Sequence, residues 1–539
     1  MKFSLKALSF FIVSCASLLI LLVPYAAHNP VVHSGRDALL NLQLHRQSGL
    51  YNLQQHHLTR HRDGLAKKRQ PEEEENHNFS HTGETRSRDE LCSGRRVFIH
   101  GLPAAFNSDL LRHCKGGLAT WINFCPDLEH DGFGEPLQTE DEFQAANGSP
   151  SPDSSWKADA LAMEDSAQSS GEPSSSPFPF PGWYRTDPYM LEVIFHRRLL
   201  RYTCLTQDPD VADAFFLPYY TGIDALRFLY ANVSSKPKVR HGSKLVKWLQ
   251  QDAIAKKSWK KHGGRDHFLV ISRTAWDFEG NGKEGWGTGF LTLPEVKNMT
   301  VLLVERNTWR ANQHAIPYPT SFHPSSPLEL DRWIHKMQSE ARPYLFAFIG
   351  SVRPKLMKGG IRDALIEQCS SSKHCYLLSC KKLRCSHNPR PIVETFLHAQ
   401  FCLQPRGDTA TRRSLFDSII AGCIPVLFHN DTAYTQYKWH LPLEAHRWSV
   451  YIDEKEIREG VRLEDVLMQY TQDSITKMRN ALIDMLPRVV YAGFSSEQES
   501  LSDAVDVSVR ELLRMVARHK RNWSADPSIK PASDIVQMI

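Results

Sequence analysis

The sequence predicts an α/β protein in which two Rossmann-like domains face one another across a cleft, behind a transmembrane anchor and a flexible stem. Three features predict it. Short apolar runs such as "VFI" at 97–99 and "AFFLP" at 214–218 alternate with stretches of helical spacing such as "YMLEVIFHRRLLRY" and "GSKLVKWLQQDAIAK", the pattern of parallel strands joined by crossover helices. A second strand-helix series starts at Tyr344 with "YLFAFIGSVRP". Ahead of both, an uncharged apolar run at 7–27 is followed by a polar, charge-blocked stretch.

The apolar run is long enough to span a bilayer as a helix of roughly 20 residues. A cleaved signal peptide is the competing reading, but cleavage after Ala27 or Ala26 would put Tyr25 or Pro24 where a small residue is needed. We therefore read 7–27 as an uncleaved signal anchor. Lys2 and Lys6 keep 1–6 cytosolic, and the rest of the chain faces the lumen of the secretory pathway. Sequons agree with that side, at Asn78, Asn232, Asn298, Asn430 and Asn522, with a further one at Asn147 weakened by Pro150. Of 11 cysteines, ten lie beyond the anchor, enough for up to five disulfides. Cys369, Cys375, Cys380 and Cys385 cluster with His374 and His387, which invites zinc, but no C-x-x-C pair is present and disulfides are the better reading. A net charge of +5 over 539 residues, without a basic tract interleaved with aromatics, gives nucleic-acid binding no support.

The stem occupies 28–92, centred on "AKKRQPEEEEN", and lacks apolar periodicity. A first α/β domain follows at 93–335, interrupted at 134–181 by a Ser-, Pro- and acid-rich insert read as a surface loop. "SSPLELDRWIHKMQSE" connects it to the second domain at 340–520, whose final amphipathic helix can pack across either half, and 521–539 is a tail.

The chemistry concentrates in "FCLQPRGDTATRRSLFDSIIAGCIPVLF", 401–428, which reads as strand, loop, helix, strand. Arg412, Arg413 and Ser414 fall at the helix start, where the positive end of the dipole repels cations but welcomes anions. A nucleotide diphosphate bound there, beside the loop residue Gly407, would resolve the conflict and leave Asp417 to accept hydrogen bonds from ribose hydroxyls. The alternative is a solvated Arg413–Asp417 pair at i, i+4, in its weaker orientation. In the same domain Gly350 and Ser351 end a strand and Arg353 follows, a second set suited to phosphate oxygens.

"FIGSVRP", the 401–428 stretch, "AYTQYKWHLP", "GRDHFLVISRTAWDF" and "ADAFFLPYYTGIDALRFLY" closely resemble the exostosin-type glycosyltransferases, glycosyltransferase family 47, in the plant xyloglucan galactosyltransferase branch. The resemblance runs from about Arg96 to Lys520, outside the insert. It implies a GT-B fold and a single-pass type II enzyme of the Golgi membrane. It further implies inverting transfer of a sugar, galactose from UDP-galactose, to xylose side chains of xyloglucan, without an essential metal or other cofactor. The partners implied are the UDP-sugar, the polysaccharide, the Golgi membrane and other Golgi glycosyltransferases in complexes. Alternatives are another donor such as UDP-galacturonic acid, another wall polysaccharide such as mannan or pectin, and a non-catalytic Golgi scaffold.

An inverting transfer needs a base on the first domain's side of the cleft. Asp277, between Trp276 and Phe278 after a predicted strand, and Asp224, after "AFFLPYY", are the two carboxylates at strand exits. Trp276 and Phe278, with Tyr219 and Tyr220, are the aromatics expected to stack on acceptor sugars. The sole D-x-D triplet, Asp208 to Asp210, precedes its strand and lies at the wrong end for ligand binding, so no metal site is assigned.

Overall fold

The computed structural model describes residues 92–139, 178, 180–229, 240–280, 286–351, 360–380, 385, 388–494 and 501–525. The expected anchor, nearly all of the stem, and the sequons at Asn78 and Asn232 lie outside the described residues. Among the described residues no helix is long and apolar enough to cross a membrane.

Five parallel strands form the first sheet: β1 (Val97–Ile99), β2 (Ala214–Phe216), β3 (His267–Thr274), β4 (Thr300–Glu305) and β5 (Gln313–Ala315). Their order in space is their order in sequence. All eight residues of β3 are buried, which is why "HFLVISRT" shows no alternation of apolar and polar positions. The second sheet contains β6 (Tyr344–Gly350), β7 (Cys375–Ser379), β8 (Ala399–Gln404), β9 (Ile424–Leu427) and β10 (Val450–Tyr451), again parallel, in the order β10-β9-β8-β6-β7.

Both sheets were expected to be Rossmann-like, and they are not alike. The second has the flavodoxin order, in which the strand sequence reverses between β6 and β8 and opens a crevice at their carboxyl ends. The first runs monotonically and has no such switch point among the described residues.

Between β1 and β2 lies α1 (Leu191–Leu199), and after β2 come α2 (Thr221–Leu229), α3 (Ser243–Gln251) and α4 (Ala253–His262). The sequence reads α3 and α4 as one helix. Asp252 divides them, with extended ψ of 134° and a side chain that caps the Ala255 N–H. The expected connection between the sheets folds as α5 (Pro327–Ser339), started by Ser326 and buried through Leu330, Trp333 and Met337. Trp333 packs on Trp183 and Phe322 and donates Nε1–H to the Ile420 carbonyl at 2.6 Å.

The second sheet is wrapped by α6 (Ile361–Ser371), α7 (Pro389–Leu397), α8 (Ser414–Ile420), α9 (Gln472–Val489) and α10 (Ala504–Ala525). The last of these spans both halves. Arg198 of α1 pairs with Asp503 and Asp506 at its start, Lys520 near its end donates to the Asp213 carbonyl, and His440 meets Ser508. Apart from a small cluster of Phe98, Ala212 and Phe215, the buried apolar residues of the two sheets form one contiguous core, and 83–539 is a single compact unit.

The ten cysteines beyond the anchor form five disulfides: Cys92–Cys204, Cys114–Cys125, Cys369–Cys375, Cys380–Cys385 and Cys402–Cys423. The cluster that invited zinc is consumed by two of them. The insert is shorter than 134–181. Phe178 stacks near Trp183 with ring centroids 4.7 Å apart, and Phe180 is buried against Phe322. At the other border Pro136 bridges to Tyr184. What remains of it, 140–177, lies outside the described residues.

Burial, partial at His196 and His314, keeps five histidines of this framework neutral. Burial holds His100, His314, His323 and His440 at about 3 and His196 at about 4. A histidine kept neutral when folded binds its proton near 6.5 once unfolded, so its contribution is present above 6.5 and lost as pH falls below it. Raised carboxyls act in the opposite sense: burial pushes Glu192 up to about 8, Asp503 to about 7 and Asp127 to about 6, and raises Glu305, Glu394 and Asp417 as well. In Glu192→Gln, which removes the opposing carboxyl with the highest value, the melting temperature is expected to fall more steeply between pH 7 and pH 5 than in the wild type. Calorimetry showing the same pH slope in both proteins contradicts this assignment.

Candidate active site

The carboxyl ends of the two sheets meet at one carboxylate. Glu305 closes β4 and is 4% exposed. Its Oε2 accepts both the N–H and the hydroxyl of Thr411, each at 2.7 Å. Burial pushes the Glu305 carboxyl up, against hydrogen bonds from Thr411, from the Thr409 hydroxyl and from the Ala410 N–H. These donors belong to the loop 405–413 between β8 and α8, which is thereby fastened to the first sheet. Tyr318 Oη lies 3.2 Å from Thr411 Oγ1, and the Tyr437 hydroxyl donates to the Val304 carbonyl at 2.9 Å. Arg306 N–H donates to Gln436 Oε1, whose amide returns a bond to the Arg306 carbonyl.

The same loop leaves the second sheet at its switch point. In the parallel register Phe346 faces Phe401 and Ala347 faces Cys402, so continuing it brings Ile349 opposite Gln404 and makes the exits of β6 and β8 neighbours. Ser414 Oγ donates to Gln404 Oε1 at 2.6 Å and closes the loop at its base. Gly407 lies beneath Arg412, where a β-carbon would come within 2.4 Å of the guanidinium Cζ. Only glycine lets that side chain lie across the loop. Gly350 ends β6 as expected, with Ser351 next to it. A β-carbon there would meet Phe348 at 3.0 Å and the Arg362 guanidinium at 3.1 Å. Arg353 lies outside the described residues, whereas Arg362, in the first turn of α6, is a cation at this rim that sequence reasoning missed.

The two arginines of the helix start part company. Arg413 reaches into the first half of the protein, donating Nη1–H to the Thr186 carbonyl at 2.6 Å and Nη2–H to Ser321 Oγ at 2.7 Å. Its Nε lies 3.3 Å from Asp417 Oδ1. The Arg413–Asp417 pair therefore exists, but it is not solvated: Asp417 is 6% exposed, and burial raises its carboxyl, opposed by Arg413. Asp417 is correspondingly not free for a ribose. Arg413 is a clamp between the halves, which leaves Arg412 as the arginine of the pair set over the loop.

On the first sheet's side, Asp277 ends a short turn at the exit of β3, where it was expected. Its Oδ2 lies 3.2 Å from Arg273 Nη1 and its Oδ1 accepts from Trp286 Nε1 at 2.7 Å. Arg273 in turn sits under the Tyr189 ring, 4.3 Å from its centroid. Asp224 is a structural carboxylate. Burial alone would raise it, but His241 at 3.3 Å, Arg227 and the Tyr219 hydroxyl hold it at about 2, too weak a base for proton abstraction near neutrality.

Three of the four expected sugar platforms are core residues instead. Phe278 is fully buried against Phe290 and His241. Tyr219 is committed to Asp224, and the Tyr220 hydroxyl lies 2.9 Å from His196 Nδ1. Trp276 remains half-buried at the rim, joined by Trp286 and the exposed Tyr189. The "DPD" triplet is a capped turn in which Asp208 accepts the Asp210 N–H and Asp210 pairs with Lys257 at 2.7 Å. Among the described residues no three His, Cys, Asp or Glu side chains converge to hold a metal. Asn430 is exposed at a turn, Asn298 is half-buried at a helix end, and Asn522 lies on the last turn of α10.

The exostosin GT47 domain matches residues 91–467. The chain is 38% identical over 437 residues to xyloglucan galactosyltransferase MUR3 of Arabidopsis thaliana, covering 80% of this chain and 64% of that one. It is 35% identical to xyloglucan galactosyltransferase XLT2 of the same plant, covering 81% and 77%. It is 36% identical to the plant's xyloglucan-specific galacturonosyltransferase 1, covering 81% and 59%. The chain thus spans under two thirds of the length of the first of these relatives.

Because Arg413 has three partners across two halves and leaves a buried carboxylate behind when removed, Arg413→Gln is expected to cost roughly 3 kcal/mol of stability. Arg412→Gln should cost less. Equal losses measured by denaturant unfolding contradict the division of roles.

Proposed function

Since the chain belongs to the exostosin GT47 family, we propose that it is an inverting glycosyltransferase that moves galactose from UDP-galactose to xylose side chains of xyloglucan. The observation that carries this is the arginine-bearing loop held at the switch point of the second sheet. There Arg412, with Arg362 lying over Gly350, offsets the two charges that accumulate on departing UDP. Parallel sheets that meet at their carboxyl edges support the GT-B arrangement, with 340–520 as donor half and 93–335 as acceptor half.

Asp277 is the proposed base. As the bond between the anomeric carbon and UDP breaks and the acceptor oxygen bonds to that carbon, the hydroxyl proton passes to the Asp277 carboxylate. Arg273 and Trp286 hold this group in place. Trp276, Trp286 and Tyr189 supply faces for the acceptor sugars. Five disulfides suit an oxidising lumen, and we propose a type II Golgi membrane protein anchored by 7–27. The second reading, transfer of galacturonic acid, is favoured by a nearly equal likeness to a galacturonosyltransferase.

Incubating the full-length chain with UDP-galactose or UDP-galacturonic acid and galactose-free xyloglucan oligosaccharides separates the two by product mass. No product with any UDP-sugar, despite UDP binding, contradicts both and leaves the scaffold reading. Chelation by EDTA should leave turnover intact, since arginines rather than a cation hold the diphosphate. Metal-reversible loss contradicts that. Arg412→Gln should weaken UDP binding by at least ~1.5 kcal/mol. Asp277→Asn should lower transfer by about 100-fold or more with UDP affinity kept, and near-normal rates would remove Asp277 from the chemistry.

A further inference from the structure

Along the β10 edge of the second sheet a groove of about 1130 Å³ runs between the 443–451 segment and α9. It is larger than a pocket for one sugar needs to be. Tyr434, Tyr451 and Tyr470 line it, with Tyr451 41% exposed. The Tyr434 and Tyr451 rings pack on one another at 52°, with centroids 6.1 Å apart. Hydrogen bonds hold their hydroxyl ends, Tyr434 with Ser449 Oγ at 2.9 Å and Tyr451 to Asp453 Oδ2 at 3.1 Å.

Most charged side chains of the groove are paired. Glu444 pairs with Arg447 at 2.9 Å, and Lys477 pairs with Asp473 at 2.7 Å. With Lys477 so paired, Asp484 leaves the groove without the excess positive charge that would hold a polyanion, and tyrosine rings flanked by the amide of Asn480 and this carboxylate suit a neutral chain rich in hydroxyls. The chain leaving the groove at Tyr451 is tied to the donor loop. Tyr451 closes β10 in register with Leu427 of β9, and Glu454, three residues on, is bound by Arg406 of the donor loop at 2.9 Å.

We propose that this groove holds the backbone of a neutral polysaccharide acceptor several sugar units from the point of transfer. The proposal rests on the glycosyltransferase reading above. It makes the enzyme a polymer reader whose affinity for long acceptors exceeds its affinity for short ones.

The test uses the full-length chain, xyloglucan immobilised on beads, and transfer to polymeric and short oligosaccharide acceptors. Tyr451→Ala, at an exposed position, and Asp484→Ala should each lower bead binding and raise KM for the polymer by about fivefold or more. Both should leave kcat and KM for the short acceptor unchanged. Bead binding that depends on Tyr451 in a protein that transfers nothing upholds the groove and removes the transfer reading. Equal effects on short and long acceptors, no effect on either, or equal retention on polygalacturonate beads overturns the proposal.

Discussion

A carboxylate withdrawn from water at the end of a strand costs several kcal/mol unless donors converge on it. Glu305 is such a group, and its donors all come from one loop of the other sheet, residues 409–411. Satisfying the buried charge therefore fixes where the β8–α8 loop lies, and with it Arg412. Stability and site geometry share a single contact.

The two adjacent arginines look paradoxical at a helix start only while the helix is considered alone. One of them, Arg413, belongs electrostatically to the first sheet's neighbourhood, through Thr186 and Ser321, and to Asp417. Segment 186–190 then carries the connection onward, since Tyr189 covers Arg273 and Arg273 holds Asp277. A chain of named contacts thus joins the donor loop to the carboxylate proposed as base, so that the two halves of the reaction are set by one network rather than by two separate pockets.

Much of this was legible in sequence because it depends on local pattern. Strands β1, β2, β3, β6 and β8, the position of α8, and Gly422 at its end with φ of 63° follow from apolar runs, helical spacing and glycine placement. Partnerships across the sheets could not be read, since nothing within ten residues of Arg413 announces Thr186, and nothing near Asp224 announces His241. Aromatic residues after a strand looked like sugar platforms, yet Phe278, Tyr219 and Tyr220 turn inward, because packing decides which ring stays at the surface. Glu305 carried a usable signal that went unread: an acidic residue closing the apolar run "TVLLVE" at a strand exit. Arg362 was likewise visible as a cation in the first turn of the helix after β6.

The measurement that bears most directly on the role of Glu305 is amide hydrogen exchange across 405–413 in the wild type and in Glu305→Ala, paired with UDP affinity. The account predicts that exchange accelerates at Ala410 and Thr411 in the variant, that the strands keep their protection, and that UDP binding weakens although Arg412 is untouched. Faster exchange in the loop with unchanged UDP affinity would contradict it, for the donor site would then be organised without the contact between the sheets.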